Sequence, residues 1–168
     1  GQDFVAWAFK AKGGTTSSNT DGTITSTVQV NQDAGFSIVQ YTGTGANGSV
    51  GHGLGVKPDF VVIKHTNDAS AWVVFSDATG TFSYSYLNLT SAFTAYSAMS
   101  YDSSVLNLNG GNDQNGAGDT HIAYFFASKE GFSKIGSYTG TGTTGNAQVC
   151  GFEPAFLLSK RISSTSDW

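Results

Sequence analysis

Apolar and polar residues in this chain change places over short distances, and most of the pattern has the two-residue period of a β-strand. Thr23–Val30 reads Thr-Ile-Thr-Ser-Thr-Val-Gln-Val, with its apolar members on even positions. One face of that strand is therefore expected to meet solvent. The dipeptide Asp21-Gly22 before it is a turn signal. Runs of β-branched and aromatic residues bounded by Gly, Asn and Asp predict further strands at Phe4–Lys10, Phe36–Tyr41, Phe60–His65, Trp72–Ser76, Tyr86–Leu89 and Val105–Leu108. Three more are expected at His121–Ala127, Lys134–Tyr138 and Ala155–Lys160. The segment Ser91–Met99 is the only helix candidate, and its Ser, Thr and Tyr content argues against one. The predicted fold is all-β, an antiparallel sandwich or jelly-roll-like structure with glycine-rich turns.

A repeat organises the chain. Residues 35–72 and 131–168 share Gly35/Gly131, Phe36/Phe132, Pro58/Pro154, Lys64/Lys160 and Trp72/Trp168, each pair 96 positions apart. Tyr41 and Tyr138 match one position further on. A second likeness joins residues 3–10 to residues 120–127, and each of these precedes a Gly-Phe-Ser copy. The expected organisation is a first β unit over 1–130. Residues 131–168 are then the beginning of a second repeat, or strands that complete the same or a neighbouring sandwich. The chain reads as a piece of a tandem array.

Composition narrows the function classes. Charged residues make up 12% of the 168 positions, against roughly 25% in ordinary soluble domains. Aromatics make up 13%, which argues against disorder. The net charge is −4 and the Lys and Arg residues are scattered, so no nucleic-acid partner is expected. No apolar run approaches the length of a membrane span. The lone Cys150 excludes an internal disulfide framework and is expected to be a small buried hydrophobe.

Candidate chemistry is sparse. Gly43-Thr44-Gly45-Ala46-Asn47-Gly48 mimics a dinucleotide fingerprint, but the residues after it cannot open a helix. It is read as a turn or bulge. His52, His65 and His121 are far apart and lie on different predicted elements, so a metal centre is not expected; His52, between glycines, is expected to bond locally to backbone. The aspartates sit in loop text and are read as Asx-turn formers. No Ser nucleophile elbow and no facing pair of carboxylates is visible, so an enzyme is not expected. Asn109–Gly116 reads as a flexible loop, with calcium ligation by its oxygens as the alternative. Tyr84, Tyr86, Tyr96 and Tyr101 form the one possible binding surface, for a glycan or a protein, with a core strand followed by a loop as the plain alternative.

Several phrases together resemble a known domain. They are Val5-Ala6-Trp7, Asp21–Val28, Gly35–Val39 with Tyr41–Gly45, Val50–Gly55 with Pro58 and Lys64, Tyr86–Leu89, and Ile122-Ala123-Tyr124 running into Gly131–Lys134 and Gly136–Gly140. They are similar to a repeated β-rich domain of unassigned biochemical function. That domain occurs in tail and other virion structural proteins of tailed phages of aquatic bacteria. Ala8 and Phe125 stand where that domain tends to carry Cys. The resemblance implies a virion component of tail, tail fibre or capsid surface, located in the virion and assembled with copies of itself and other virion proteins. It supplies no catalytic residues to carry over, and no cofactor is expected apart from the calcium alternative at Asn109–Gly116. The other reading is a receptor- or glycan-binding adhesin at a cell surface, acting on a host-surface glycan.

Overall fold

The computed structural model describes residues 8–11 and 13–168. It is nearly all β, with antiparallel sheets and a single turn of helix among those residues. The strands are β1 (Ser17–Asn19), β2 (Ser26–Asn31), β3 (Phe36–Thr42), β4 (Gly48–Gly51), β5 (Phe60–His65), β6 (Val73–Ser76), β7 (Ser83–Tyr86), β8 (Thr94–Ala95), β9 (Ser100–Tyr101), β10 (Val105–Leu108) and β11 (Thr120–Phe126). The helical turn α1 is Asn112–Asn115.

An eight-stranded sheet runs in the order β1-β2-β3-β11-β5-β6-β7-β8. β11 is its centre, with Ala123 opposite Val39 on β3 and opposite Ile63 on β5. Alternation explains the register. On β11, His121, Ala123 and Phe125 are buried, and the residues between them are partly exposed. A one-residue slip would exchange the two faces, so the burial pattern holds the register. A smaller sheet, β4-β10-β9, contributes Val50, Leu106, Leu108 and Tyr101 to the same core cluster as Val39, Val61, Ile63, Phe75 and Phe125.

Several sequence expectations need correction. The strand expected at Thr23–Val30 starts at Ser26, and Ile24 instead makes an isolated bridge to Val50. The glycine-rich Gly48–Gly51, where no strand is expected, is a strand because it pairs with β10. Its glycines admit close neighbours: a Cβ on Gly51 would stand 1.8 Å from the Asn19 side-chain oxygen. The strand expected at Tyr86–Leu89 lies earlier, at Ser83–Tyr86, and Leu87–Leu89 turn away. Of the strand expected at Phe4–Lys10, Phe4–Trp7 lie outside the described residues, and Ala8–Lys10 are irregular. The flexible loop expected at Asn109–Gly116 contains α1.

The largest correction concerns 131–168. The strands expected at Lys134–Tyr138 and Ala155–Lys160 are absent, and this segment runs as irregular chain and turns. Cys150 lies on it, half-buried rather than in the core. The physical reason is the missing partner. In residues 35–72, β3 and β5 are separate strands held together only by β11 between them. No described strand plays that part for 131–168. Local turn chemistry persists all the same. Gly35, Gly45 and Gly55 have positive φ, and so do Gly131, Gly142 and Gly151, which match them in sequence.

Candidate ligand cleft

The alternation of β7 decides which tyrosines meet. Ser83 and Ser85 are buried, and Tyr84 and Tyr86 on the opposite face are half-exposed. Ser85 Oγ donates to the Ser91 carbonyl at 2.8 Å, which satisfies the buried hydroxyl. Across the ladder, Tyr84 is opposite Phe75 and Tyr86 is opposite Val73. Phe75 and Val73 are core residues, so this face of the sheet runs continuously from the core to the two tyrosines. Tyr96 follows β8, with its ring 5.1 Å from that of Tyr84. Tyr84 and Tyr86 meet edge to face at 5.8 Å.

These rings line a cleft of about 270 Å³ together with Gly111, Asn112, Asp113 and Gln114. Burial first, and the Asp113 carboxylate second, push the Tyr86 hydroxyl above its ordinary pKa, so it stays a neutral donor and acceptor.

The polar side of the cleft is held by Asn115, which is fully buried. Its Oδ1 accepts from the Thr44 backbone N–H at 2.9 Å. Its Nδ2 donates to the carbonyls of Ala46 at 2.6 Å and Asn109 at 3.0 Å. The Gly45 N–H donates to the Asn115 carbonyl at 2.8 Å. Glycine at 43 permits this docking, since a Cβ there would stand 2.2 Å from the Gly116 carbonyl oxygen. The turn Gly43–Gly48 is thus a cradle for the α1 backbone. Gln114 donates to Asn109 Oδ1, and Asn109 donates to the Tyr96 hydroxyl, which joins the two sides of the cleft.

Of the four tyrosines singled out in the sequence, Tyr84, Tyr86 and Tyr96 come together and Tyr101 does not. Tyr101 is buried, and its hydroxyl donates to Asp77 Oδ1 at 3.0 Å. Burial and the Asp77 charge raise its pKa, so it is a structural phenol. Sequence reasoning missed Asn112, Asp113 and Gln114 as neighbours of the tyrosines. Their nearness depends on the Asn115 contacts, which no local pattern marks.

A family model described as a domain of unknown function (DUF7483) matches residues 1–168. The chain belongs to this family. No curated protein and no solved structure matches it. In this family member, no group of three or more His, Cys, Asp or Glu side chains among the described residues is placed to hold a metal ion. No helix among them is long and apolar enough to cross a membrane.

The histidines are not all far apart, contrary to expectation. The register pairs His121 with His65, and their rings stack at 5.0 Å. Tyr41 stacks on the other side of His121 at 5.2 Å. Both ring nitrogens of His65 are buried without a hydrogen bond, although Asp119 and Asp68 carboxylate oxygens stand 3.3 and 3.5 Å away. His52 bonds locally, accepting from the Leu54 N–H at 3.2 Å and facing the Asp102 carbonyl at 3.2 Å. The Asx-turn reading holds for Asp68 and Asp102, whose carboxylates accept from the N–H groups of Ser70 and Ser104.

Burial lowers the pKa of both His52 and His121 below the ordinary 6.5, against smaller opposing effects of nearby backbone carbonyls. As acid is added, the unfolded chain therefore takes up protons before the native one. The stability these neutral rings confer is full above about pH 6.5 and is lost as pH falls through 6.5 towards the lowered native values. Backbone hydrogen bonds hold Asp68 and Asp102 below their ordinary pKa, and their contribution disappears only in stronger acid. Urea midpoints should hold level from pH 8 down to about pH 6.5 and fall from there towards pH 5. A flat profile would mean that these histidines are not buried neutral.

Proposed function

We propose that this domain is a non-enzymatic structural β module of a virion, in the tail, a tail fibre or the capsid surface, working in a symmetric assembly. Its two sheets around one core cluster fit a sandwich. The observation that carries the proposal is a set of exposed apolar residues in 131–168 whose counterparts in 35–72 are buried. Leu157 is 80% exposed, and its repeat counterpart Val61 is 0% exposed. Tyr138 is 59% exposed against 3% for Tyr41. Phe132 and Leu158 are exposed as well. Apolar residues spaced for a sheet, but without its central strand, suit a unit completed by a neighbouring module of the same kind through strand addition. Mass spectrometry of density-purified particles tests this: stoichiometric peptides from this chain support it, and their absence from particles overturns it.

The same reasoning separates two substitutions in the isolated chain. Val61→Ala should cost roughly 2 kcal/mol, the scale for deleting buried methyl groups. Leu157→Ala should stay within about 0.5 kcal/mol, as for surface sites. Chemical denaturation of the two variants side by side checks the contrast.

A second reading, host-glycan recognition, is favoured by the tyrosine cleft. Aromatic faces beside amides and a carboxylate suit a hydroxyl-rich ligand. The two readings are compatible in a particle that attaches to a cell.

A further inference from the structure

The charge and size of the cleft narrow its ligand, on the glycan-recognition reading above. None of the lining residues is Lys or Arg, and Asp113 is the only charged one. Asp113 makes no salt bridge with any described residue. The cavity of about 270 Å³ lies just below the range of drug-sized sites, which is roughly 300–1,000 Å³, and suits one sugar ring better than a peptide segment.

Its hydrogen-bonding capacity is also specific. The hydroxyls of Tyr84 and Tyr86 have no hydrogen-bond partner among the described residues, and that of Tyr96 accepts from Asn109 and so keeps its proton to give. A carboxylate has two acceptor oxygens and matches a neighbouring pair of hydroxyl donors. Hydrogen bonds to a charged acceptor are about twice as strong as neutral ones. The tyrosine rings offer apolar faces to the C–H face of a pyranose. An acidic sugar would set a second negative charge beside Asp113 with no cation to offset it.

We infer that the cleft takes a single uncharged pyranose ring, stacked on the tyrosines and held by Asp113 through two adjacent hydroxyls. Asp113 is the anchoring group, and Tyr84, Tyr86 and Tyr96 form the stacking corner.

The test is saturation-transfer NMR on the whole chain. The probes are methyl α-D-mannopyranoside, methyl β-D-galactopyranoside, methyl β-D-glucopyranoside and D-glucuronate. Saturation transfer to at least one neutral glycoside, and none to glucuronate, is expected. Asp113→Asn, isosteric and outside the core, should weaken that binding about tenfold, the scale of one hydrogen bond to a charged group. A native-like amide spectrum of the variant shows that it folds. Glucuronate binding as well as the neutral sugars, or undiminished binding by Asp113→Asn, overturns the inference but leaves glycan recognition standing. If no sugar binds, glycan recognition itself fails and the inference falls with it.

Discussion

Asn115→Ala should unfold this domain at a markedly lower urea concentration, with a loss of about 2–4 kcal/mol. The residue is fully buried and serves three backbone groups from two loops. Truncation takes the partner from the Thr44 N–H and from the Ala46 and Asn109 carbonyls, which sit in a part-buried setting. A buried polar group left unpaired costs about 1–3 kcal/mol, and partial access of water keeps the sum below three such penalties. Asn115→Asp is the sharper variant. It keeps the shape and the acceptor but turns the donor towards two carbonyl oxygens into a third oxygen. It should be at least as damaging as alanine. On the proposed glycan reading, both variants should also lose sugar binding, since α1 carries Asp113 and is a single turn with no side-chain cap. If Asn115→Ala is as stable as the parent, α1 is held by something other than this amide.

Phe125→Ala should cost about 3–5 kcal/mol, the range for removing a buried aromatic ring. Phe125 is fully buried at the centre of the large sheet and packs its ring 5.1 Å from His52. The cavity cannot close easily, because β11 is held on both sides by β3 and β5. A loss near 1 kcal/mol would show that the core relaxes around the gap. Chemical denaturation measures it, with an unchanged m-value as the sign that the unfolding transition is the same.

Strands whose burial follows local alternation were legible from sequence. β5 and β10 have the expected bounds, and β3 and β11 differ from them by a residue at one or both ends. Long-range pairing hid the rest. β4 has no strand composition and exists because β10 lies beside it. β7 has serines where a core strand would carry its large residues, so its buried face could not be recognised in advance. The stacking of His65 on His121 follows from strand register between residues far apart in the chain. In the site, the tyrosines were legible as a cluster because they crowd one stretch of sequence. Tyr101 was misassigned because the contact of its hydroxyl with Asp77 leads it away from the others. Asp113, read as part of the Asn109–Gly116 loop, was not joined to the tyrosines because it reaches them only through the docking of α1 on the Gly43–Gly48 turn.

The likeness of residues 131–168 to residues 35–72 marks the boundary of what sequence similarity can specify. Residues 131–168 keep the glycine turns of residues 35–72, since a positive φ is a local property. They do not keep the strands, since a strand is a property of its neighbours. On the proposed virion role, a density map of a particle that carries this chain is the most direct test of the account. It predicts a strand lying between residues 132–138 and 156–161, in the place that β11 holds between β3 and β5. Map density showing those residues bare to solvent in the particle would contradict it.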